Sequence, residues 1–152
     1  MTTFLVLIVA LIAACSFLGF GVSTLGRADR RAAGWAGLAA AAACALYAWG
    51  ALHVAGAVMD AEDGGTGSAP LRPCRSGPQV ADPGYLGYHV DFVPLRFVCE
   101  TKGGGEYVAD TVPPYVNPAL LGLAAVTVCL GAGATVAYER GERRRAAARG
   151  GA

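Results

Sequence analysis

The stretch FLVLIVALIAACSFLGFGVSTL, residues 4–25, decides the fold class because it runs for twenty-two residues without a charged side chain. A bilayer core is about 30 Å thick, so a helix that rises about 1.5 Å per residue crosses it in about 20 residues. Two further stretches, 34–59 and 118–138, are comparably long and apolar. Since a helix satisfies its own backbone hydrogen bonds in lipid, the sequence predicts three transmembrane helices.

The first stretch has a competing interpretation, which is a cleaved signal sequence. No basic residue precedes it, and its apolar length exceeds the roughly 7–15 residues usual in such signals. Ile12-Ala13-Ala14-Cys15 resembles the box before a lipoprotein cysteine, so lipidation of Cys15 stays open as an alternative. Because the residues after Cys15 remain apolar through Leu25, the transmembrane interpretation is favoured.

The charges that flank these stretches predict the orientation of the chain. Loop 26–33 and tail 139–152 together hold eight arginines and three acidic residues, whereas segment 60–117 holds four basic and eight acidic residues. Short loops rich in arginine and lysine stay in the cytoplasm. We therefore expect a multi-pass protein of the cell (plasma) membrane, with its N-terminus and 60–117 outside and its C-terminus cytoplasmic.

Two cysteines, Cys74 and Cys99, lie within segment 60–117. Thiols in one small extracytoplasmic domain usually pair, so the sequence predicts a disulfide. On the chain-entropy model a ring of this size stabilises a fold by about 3–4 kcal/mol. The alternative is a pair of free thiols. The other cysteines lie in the apolar stretches and are interpreted as small packing residues, namely Cys15, Cys44 and Cys129.

Residues 88–100 alternate in period two, as a strand with one apolar face does. The glycine-rich stretch 102–105 predicts a turn, and 106–112 is predicted to return as the second strand of a hairpin. Pro94 lies inside the first strand and lacks a backbone N–H, which predicts an edge strand or a bulge. Because two strands alone are marginal, we expect the hairpin to be closed by the disulfide and to rest on the helix ends.

The segment 60–70 is acidic and rich in glycine, which predicts a flexible linker. Its acids lack the spacing of a calcium-binding loop, so no metal site is predicted there. The sequence shows no cofactor signature either, and we predict no catalytic, cofactor-binding or metal-binding residue.

Each apolar stretch carries small residues at four-residue intervals, which lie on one face of a helix. Such faces let helices approach closely in lipid and predict a packed bundle or a homodimer face. The alternative is chance in an alanine-rich chain. The residues are Cys15, Gly19 and Ser23 in the first stretch, Ala36, Ala40, Cys44 and Ala48 in the second, and Ala125, Cys129 and Gly133 in the third.

Three polar residues are candidate functional residues: His53, His89 and Asp91. His53 lies near the predicted outer end of the second helix, and an ionisable residue inside a span is a functional candidate by default. It could equally reach water or a backbone carbonyl. His89 and Asp91 share one strand face and could form an acid–base pair, or could simply be solvated. A haem held between His53 and His89 is a further hypothesis.

The segments PLRFVC, 94–99, and VPPYVNP, 112–118, together resemble a pattern in a family of small, uncharacterised actinobacterial integral membrane proteins. In that family a Pro-Leu-x-x-x-Cys strand precedes Val-Pro-x-x-Val-Asn-Pro at the start of a helix. The resemblance implies location in the cell envelope and brings no activity. In physical terms, Asn117 is expected to cap the third helix, with Pro118 in its first turn.

Together these features predict a membrane α-helical protein with three transmembrane helices and a small disulfide-stapled extracytoplasmic β-hairpin domain between helices 2 and 3. The expected function is that of a non-enzymatic accessory or interaction subunit of the cell envelope, acting through its extracytoplasmic domain. A small membrane sensor or regulator is one alternative, and a membrane enzyme that uses His53 or His89 is another. The expected partners are the lipid bilayer and either a membrane or envelope protein or a second copy of the chain, and not nucleic acid.

The predicted segments are helices at 4–25, 34–59 and 118–138, a cytoplasmic loop at 26–33, the extracytoplasmic domain at 60–117 and a cytoplasmic basic tail at 139–152.

Overall fold

The structure is a computed structural model that describes residues 2–62, 72–74, 85–101 and 104–150. The described residues form three α-helices, α1 at Thr2–Leu25, α2 at Arg31–Glu62 and α3 at Val116–Gly150. Between α2 and α3 lie three strands, β1 at Tyr85–Phe92, β2 at Leu95–Thr101 and β3 at Glu106–Ala109. Short 3₁₀ turns occupy Ala28–Arg30 and Arg72–Cys74.

All three helices are long and apolar enough to cross a membrane, which confirms that part of the prediction. Helix α2 includes Asp60 and Glu62, so the predicted start of the linker at residue 60 is wrong, and residues 63–70 lie outside the described part of the chain. Helix α3 continues through the basic tail to Gly150. Alanine, arginine and glutamate favour helix there, and Glu142 pairs with Arg145 at 3.1 Å on the next turn.

The chain divides into two compact units, each of which combines parts of several helices. The first unit consists of Met1–Ala10 and Leu46–Pro118, and it contains the sheet. The second unit consists of Leu11–Ala45 and Ala119–Ala152.

The strands form one antiparallel sheet in the order β1-β2-β3, so the predicted two-stranded hairpin is wrong. The predicted first strand is in fact two strands, because the chain turns at Val93-Pro94 and pairs Phe92 with Leu95. The Val93–Pro94 peptide is cis, as in the tight turns that carry proline at their third position. A proline cannot donate to a strand ladder, and this turn removes it from the ladder altogether.

The predicted glycine turn lies between β2 and β3, with Lys102 and Gly103 outside the described residues. Gly104 has φ +76°, a backbone conformation that glycine adopts without steric cost. The Thr101 N–H donates to the Gly105 carbonyl at 2.9 Å, which closes the turn. Strand β3 ends at Ala109, earlier than the predicted residue 112, and a turn at Asp110 and Thr111 follows.

Alternation along the strands turns one set of side chains towards the helices. Leu95, Phe97 and Cys99 of β2 are almost completely buried, as is Ala109 of β3. Tyr88 of β1 stacks on Phe97 with ring centroids 4.8 Å apart. The residues of α2 in the same core are small or branched, namely Ala51, Val54, Ala57, Val58 and Ala61. The apolar face of the sheet and helix α2 therefore share one core.

Cys74 and Cys99 form the predicted disulfide, with their Cα atoms 6.0 Å apart. Both cysteines are completely buried. The Tyr107 hydroxyl of β3 donates to the Cys74 carbonyl, so the Arg72–Cys74 turn is tied to two strands. The cysteines inside the helices are free thiols, namely Cys15, Cys44 and Cys129.

Helix α2 and the sheet are in close contact at Gly50. A Cβ atom at this position would lie 2.8 Å from Cδ2 of Leu95 and 2.9 Å from Cγ1 of Val116. Leu95 and Val116 are themselves buried, so neither has room to move aside. Glycine at this position therefore sets how closely the sheet rests on α2.

The turn between β1 and β2 is held by side chains from two helices. The Tyr47 hydroxyl of α2 donates to the Phe92 carbonyl at 3.0 Å. The Asn117 amide of α3 accepts from the Leu95 N–H at 3.0 Å and donates to the Leu95 carbonyl at 3.1 Å. The predicted capping role of Asn117 is thus wrong, because α3 already begins at Val116 and the amide binds the sheet instead.

In the second unit, α1 and α2 meet at glycines. A Cβ atom on Gly37 would lie 2.9 Å from Cδ1 of Phe20 and 3.0 Å from the Cα atom of Gly21. Of the small residues predicted to pack closely, Gly19 and Gly133 do not, since a Cβ on either would meet nothing within 4 Å among the described residues. Four-residue spacing alone did not identify the face of α1 that contacts α2.

We predict that Asn117→Ala lowers the free energy of unfolding by about 1–3 kcal/mol, because it leaves the N–H and carbonyl of buried Leu95 without partners. Asn117→Asp keeps the acceptor for the N–H but turns a carboxylate oxygen towards the Leu95 carbonyl, so it should also destabilise the protein. Denaturant unfolding in mixed detergent micelles, followed by circular dichroism, measures both.

The matched control is Thr135→Ala on the same helix, whose hydroxyl is exposed and, within the described residues, donates to the Ala132 carbonyl of α3. We expect this control to change the free energy of unfolding by less than about 0.5 kcal/mol. An Asn117→Ala protein as stable as the control would contradict the bridging role of Asn117.

Candidate functional site

The second face of the sheet, opposite the core, carries most of its charged residues. Antiparallel register places Glu100 of β2 directly opposite Glu106 of β3, and Asp91 of β1 opposite Arg96 of β2. His89, two residues before Asp91 on β1, lies opposite Val98. We call this set the polar face, defined by His89, Asp91, Arg96, Val98, Glu100, Glu106 and Val108.

On the polar face, His89 lies between two carboxylates. Its Nδ1 lies 3.0 Å from Oε1 of Glu100, within hydrogen-bond distance, and its Nε2 lies 4.0 Å from Oδ1 of Asp91. The side chains of all three are 40–44% exposed. The structure therefore places Asp91 beside His89 and adds Glu100 as the nearer carboxylate.

Sequence reasoning missed Glu100 and Glu106 as site residues. Their signal was present, because they flank the glycine turn and so had to face each other across a hairpin. What the sequence did not show was that His89, on a separate strand, would lie diagonally beside them. That placement depends on the turn at Pro94, which folds β1 back onto β2.

The charges on the polar face favour a protonated histidine. Like charges directly opposite on neighbouring strands repel, and Glu100 and Glu106 are such a pair. The hydrogen bond to Glu100 raises the pKa of His89 above 6.5, and the negative charges of Glu106, Asp91 and Glu100 act in the same direction, whereas partial burial opposes them. A proton on His89 thus offsets part of the repulsion between the carboxylates.

Tyr88 fixes β1 to the end of α2 from the other face of the same strand. Its hydroxyl donates to Oε1 of Glu62 at 2.8 Å. Burial, followed by the hydrogen bond and the charge of Glu62, raises the pKa of Tyr88 to about 12, so this phenol stays protonated at neutral pH. The strand that carries His89 and Asp91 is therefore held in place on its apolar side.

His53 lies elsewhere. It is on α2, partly buried, with its ring edge-to-face against Trp49 at a centroid distance of 4.8 Å. The sheet turns its apolar face to α2 and its polar face away, so the sheet stands between His53 and His89. The arrangement does not bring the two histidines together, and it gives no support to a haem between them.

The polar face does bring together groups that hold metal ions. One ligand atom each from His89, Glu100 and Glu106 lies within 4.8 Å of the other two. An imidazole nitrogen and two carboxylate oxygens form a mixed donor set of the kind used for divalent transition metals.

A comparison of the chain with known protein families found no matching family, and comparisons with curated proteins and with solved structures found no match either.

We predict that His89 titrates with a pKa above 6.5 in chelator-treated protein, and that Glu100→Gln lowers this pKa because it removes the nearest negative charge. Because the pKa of His89 is raised in the folded state, protonated His89 stabilises the fold. This stabilisation is fully present below about pH 6.5, the usual pKa of histidine, and is lost as the pH rises through the folded-state pKa of His89. NMR titration of the histidine ring signals measures these values.

Asp91→Asn is the comparison variant, because its carboxylate is further from the ring, and we expect it to lower the pKa of His89 by less than Glu100→Gln does. A pKa of 6.5 or below for His89 in the unmodified chain would show that Glu100 does not act on the ring as described.

Proposed function

We propose that this chain is a multi-pass plasma membrane protein that serves as a non-enzymatic accessory subunit of the cell envelope, binding a protein partner through the polar face of its sheet. Support for the membrane location comes from the helices. Large apolar side chains are exposed along α1, which in water would be a costly apolar surface. In lipid the same surface is in contact with its preferred solvent.

The proposed orientation has the N-terminus and the sheet outside and the C-terminus in the cytoplasm. Eight arginines in 26–33 and 139–152 support this arrangement by the positive-inside rule. The Cys74–Cys99 disulfide supports it independently, because disulfides persist in oxidising compartments and are rare in the cytosol. The resemblance to small actinobacterial membrane proteins points to the same location.

The main support for the subunit role is the difference between the two faces of the sheet. The apolar face is occupied by α2, by the disulfide and by the start of α3, which fixes the orientation of the sheet. The polar face is held in a fixed position on the side away from α2, with Val108 half exposed on the edge strand β3 and Glu106 exposed on the same strand. Protein interfaces combine apolar contacts with polar, partly solvated ones, and an exposed valine among charged side chains offers both kinds of group.

The charge of the polar face indicates the charge of the partner's surface. Asp91, Glu100 and Glu106 outnumber Arg96 among its charged residues. Complementary charge steers association and sets specificity, so the partner is expected to present a basic surface on the outer side of the membrane.

A sensor or regulator is the second candidate function, because a histidine set among carboxylates changes charge in the range of physiological pH. An enzyme that uses His53 or His89 is the third. The double variant His53→Ala and His89→Ala tests the enzyme, which loses its activity with its histidines.

We predict that the protein, purified in mild detergent from its own membranes, retains a stoichiometric partner that mass spectrometry identifies. Val108→Arg should release this partner, because it replaces an exposed apolar side chain of the polar face with a cation that repels a basic partner. Val93→Arg is the matched control, since Val93 is exposed at the turn between β1 and β2 and lies off the polar face.

Release by Val108→Arg but not by Val93→Arg supports the proposed subunit. Purification of the unmodified chain as a monomer would contradict the proposal. A homo-oligomer that Val108→Arg dissociates would identify the partner as a second copy of the chain.

A further inference from the structure

One side chain from each strand contributes to a cluster on the polar face, formed by His89, Glu100 and Glu106. Its three ligand atoms lie within 4.8 Å of one another. We propose that these residues form a binding site for a divalent transition metal ion, with Zn²⁺ as the ion that best suits the donor set. This site lies on the polar face that the proposed subunit role also uses, but its test needs only the chain itself and no partner.

The distances suit a shared ion. Zinc binds imidazole nitrogen at about 2.0–2.1 Å and carboxylate oxygen at about 2.0–2.2 Å, so two of its ligand atoms lie at most about 4 Å apart. His89 Nδ1 and Glu100 Oε1 are already 3.0 Å apart. Glu106 is exposed and its side chain has three rotatable bonds, so a small rotation brings its carboxylate into the same sphere.

The register of the strands favours the binding of a cation by the cluster. Glu100 and Glu106 are directly opposite on β2 and β3, where two negative charges repel. A divalent ion between them converts this repulsion into attraction, and it displaces the proton from His89 as it binds. The backbone on all three strands is held by the sheet, which limits the ordering that binding must impose.

Asp91 is placed to act as a positioning residue for the ring. When Nδ1 of His89 binds the ion, the N–H at Nε2 points towards Asp91, whose Oδ1 lies 4.0 Å away. Metal-bound histidines commonly donate their second ring nitrogen to a carboxylate, which fixes the orientation of the ring. A shift of about 1 Å would bring this pair into hydrogen-bond distance.

The choice of ion follows from the nitrogen ligand and from the number of donors. Ca²⁺ takes about 6–8 oxygen ligands and Mg²⁺ requires a near-octahedral oxygen shell, and two glutamates supply little of either. Zinc is satisfied by four ligands, three from the protein and one from water or another molecule. Because His89 and Glu100 are partly exposed, that fourth position is open to solvent.

The test uses the full chain in detergent, purified without a histidine tag and stripped with a chelator. Calorimetric titration with ZnCl₂ should show one site, and NMR should show the His89 ring signal shifting as the site fills. Substitutions His89→Ala, Glu100→Gln and Glu106→Gln should each weaken Zn²⁺ binding by more than about tenfold, since loss of even an outer ligand partner has an effect of about that size.

Matched controls are His53→Ala and Glu142→Gln, which remove the same groups outside the cluster and should bind Zn²⁺ as the unmodified chain does. Circular dichroism and denaturant unfolding of each variant establish that it is folded, and its mass shows that the Cys74–Cys99 disulfide is intact. Asp91→Asn should weaken binding less than His89→Ala and should broaden the His89 signal in the Zn²⁺ form.

Three outcomes would overturn the site. These are the absence of Zn²⁺ binding to the unmodified chain, affinities of His89→Ala and Glu106→Gln equal to those of the controls, and tighter binding of Ca²⁺ than of Zn²⁺. A metal site with no retained protein partner would leave this inference standing while the subunit proposal fails.

Discussion

The contact of Leu95 with helix α2 at Gly50 is the constraint on which the rest of the first unit depends. Leu95 is the first residue of the central strand and is almost completely buried. Its side chain occupies the space that any larger residue at position 50 would take, and its backbone N–H and carbonyl are both bound by Asn117. One residue thus joins the sheet to α2 through packing and to α3 through hydrogen bonds.

The sidedness of the sheet follows from this contact. With Leu95 turned to α2, the period-two alternation sends Phe97 and Cys99 to the same side and Arg96, Val98 and Glu100 to the other. A shift in register of one residue would exchange the two sets and bury charges without partners, which is too costly to compete. The disulfide adds a covalent restraint on the buried face, because Cys99 of β2 is one of its two cysteines. The polar face and the metal-ligand cluster upon it are therefore consequences of how the apolar face is docked.

The sequence predicted the features that depend on composition and on short-range pattern. Long uncharged stretches were enough to predict three helices of membrane length. Two cysteines in an acidic segment were enough to predict the disulfide, and the glycines after Thr101 were enough to predict a turn. Each of these follows from a property of the local chain, so no knowledge of distant contacts was needed.

Most of the site and packing features that failed depend on contacts that the local sequence does not show. Pro94 was expected inside a strand, because its missing N–H is equally compatible with a bulge and with a turn, and only pairing decides between them. Asn117 was expected to cap a helix, since the Leu95 backbone that it binds is 22 residues away. Glu100 and Glu106 were not recognised beside His89, because their approach requires the three-stranded register that the misplaced turn had hidden. Gly21 and Gly37 were missed for a related reason, since spacing along one helix does not show which face meets another.

The most direct test of this account is a double-mutant cycle on the contact between α2 and β2. Gly50→Ala alone should destabilise the fold by about 1–3 kcal/mol through overpacking, and Leu95→Ala alone by about 2–5 kcal/mol through the cavity it leaves. In the double variant the added methyl group occupies space vacated by Leu95, so the two effects should be less than additive, with a coupling of about 0.5–3 kcal/mol. Gly56→Ala, at a position on α2 with open space, should combine additively with Leu95→Ala. Additivity of Gly50→Ala and Leu95→Ala within about 0.5 kcal/mol would contradict the account, because it would mean that the sheet does not rest on α2 at this point.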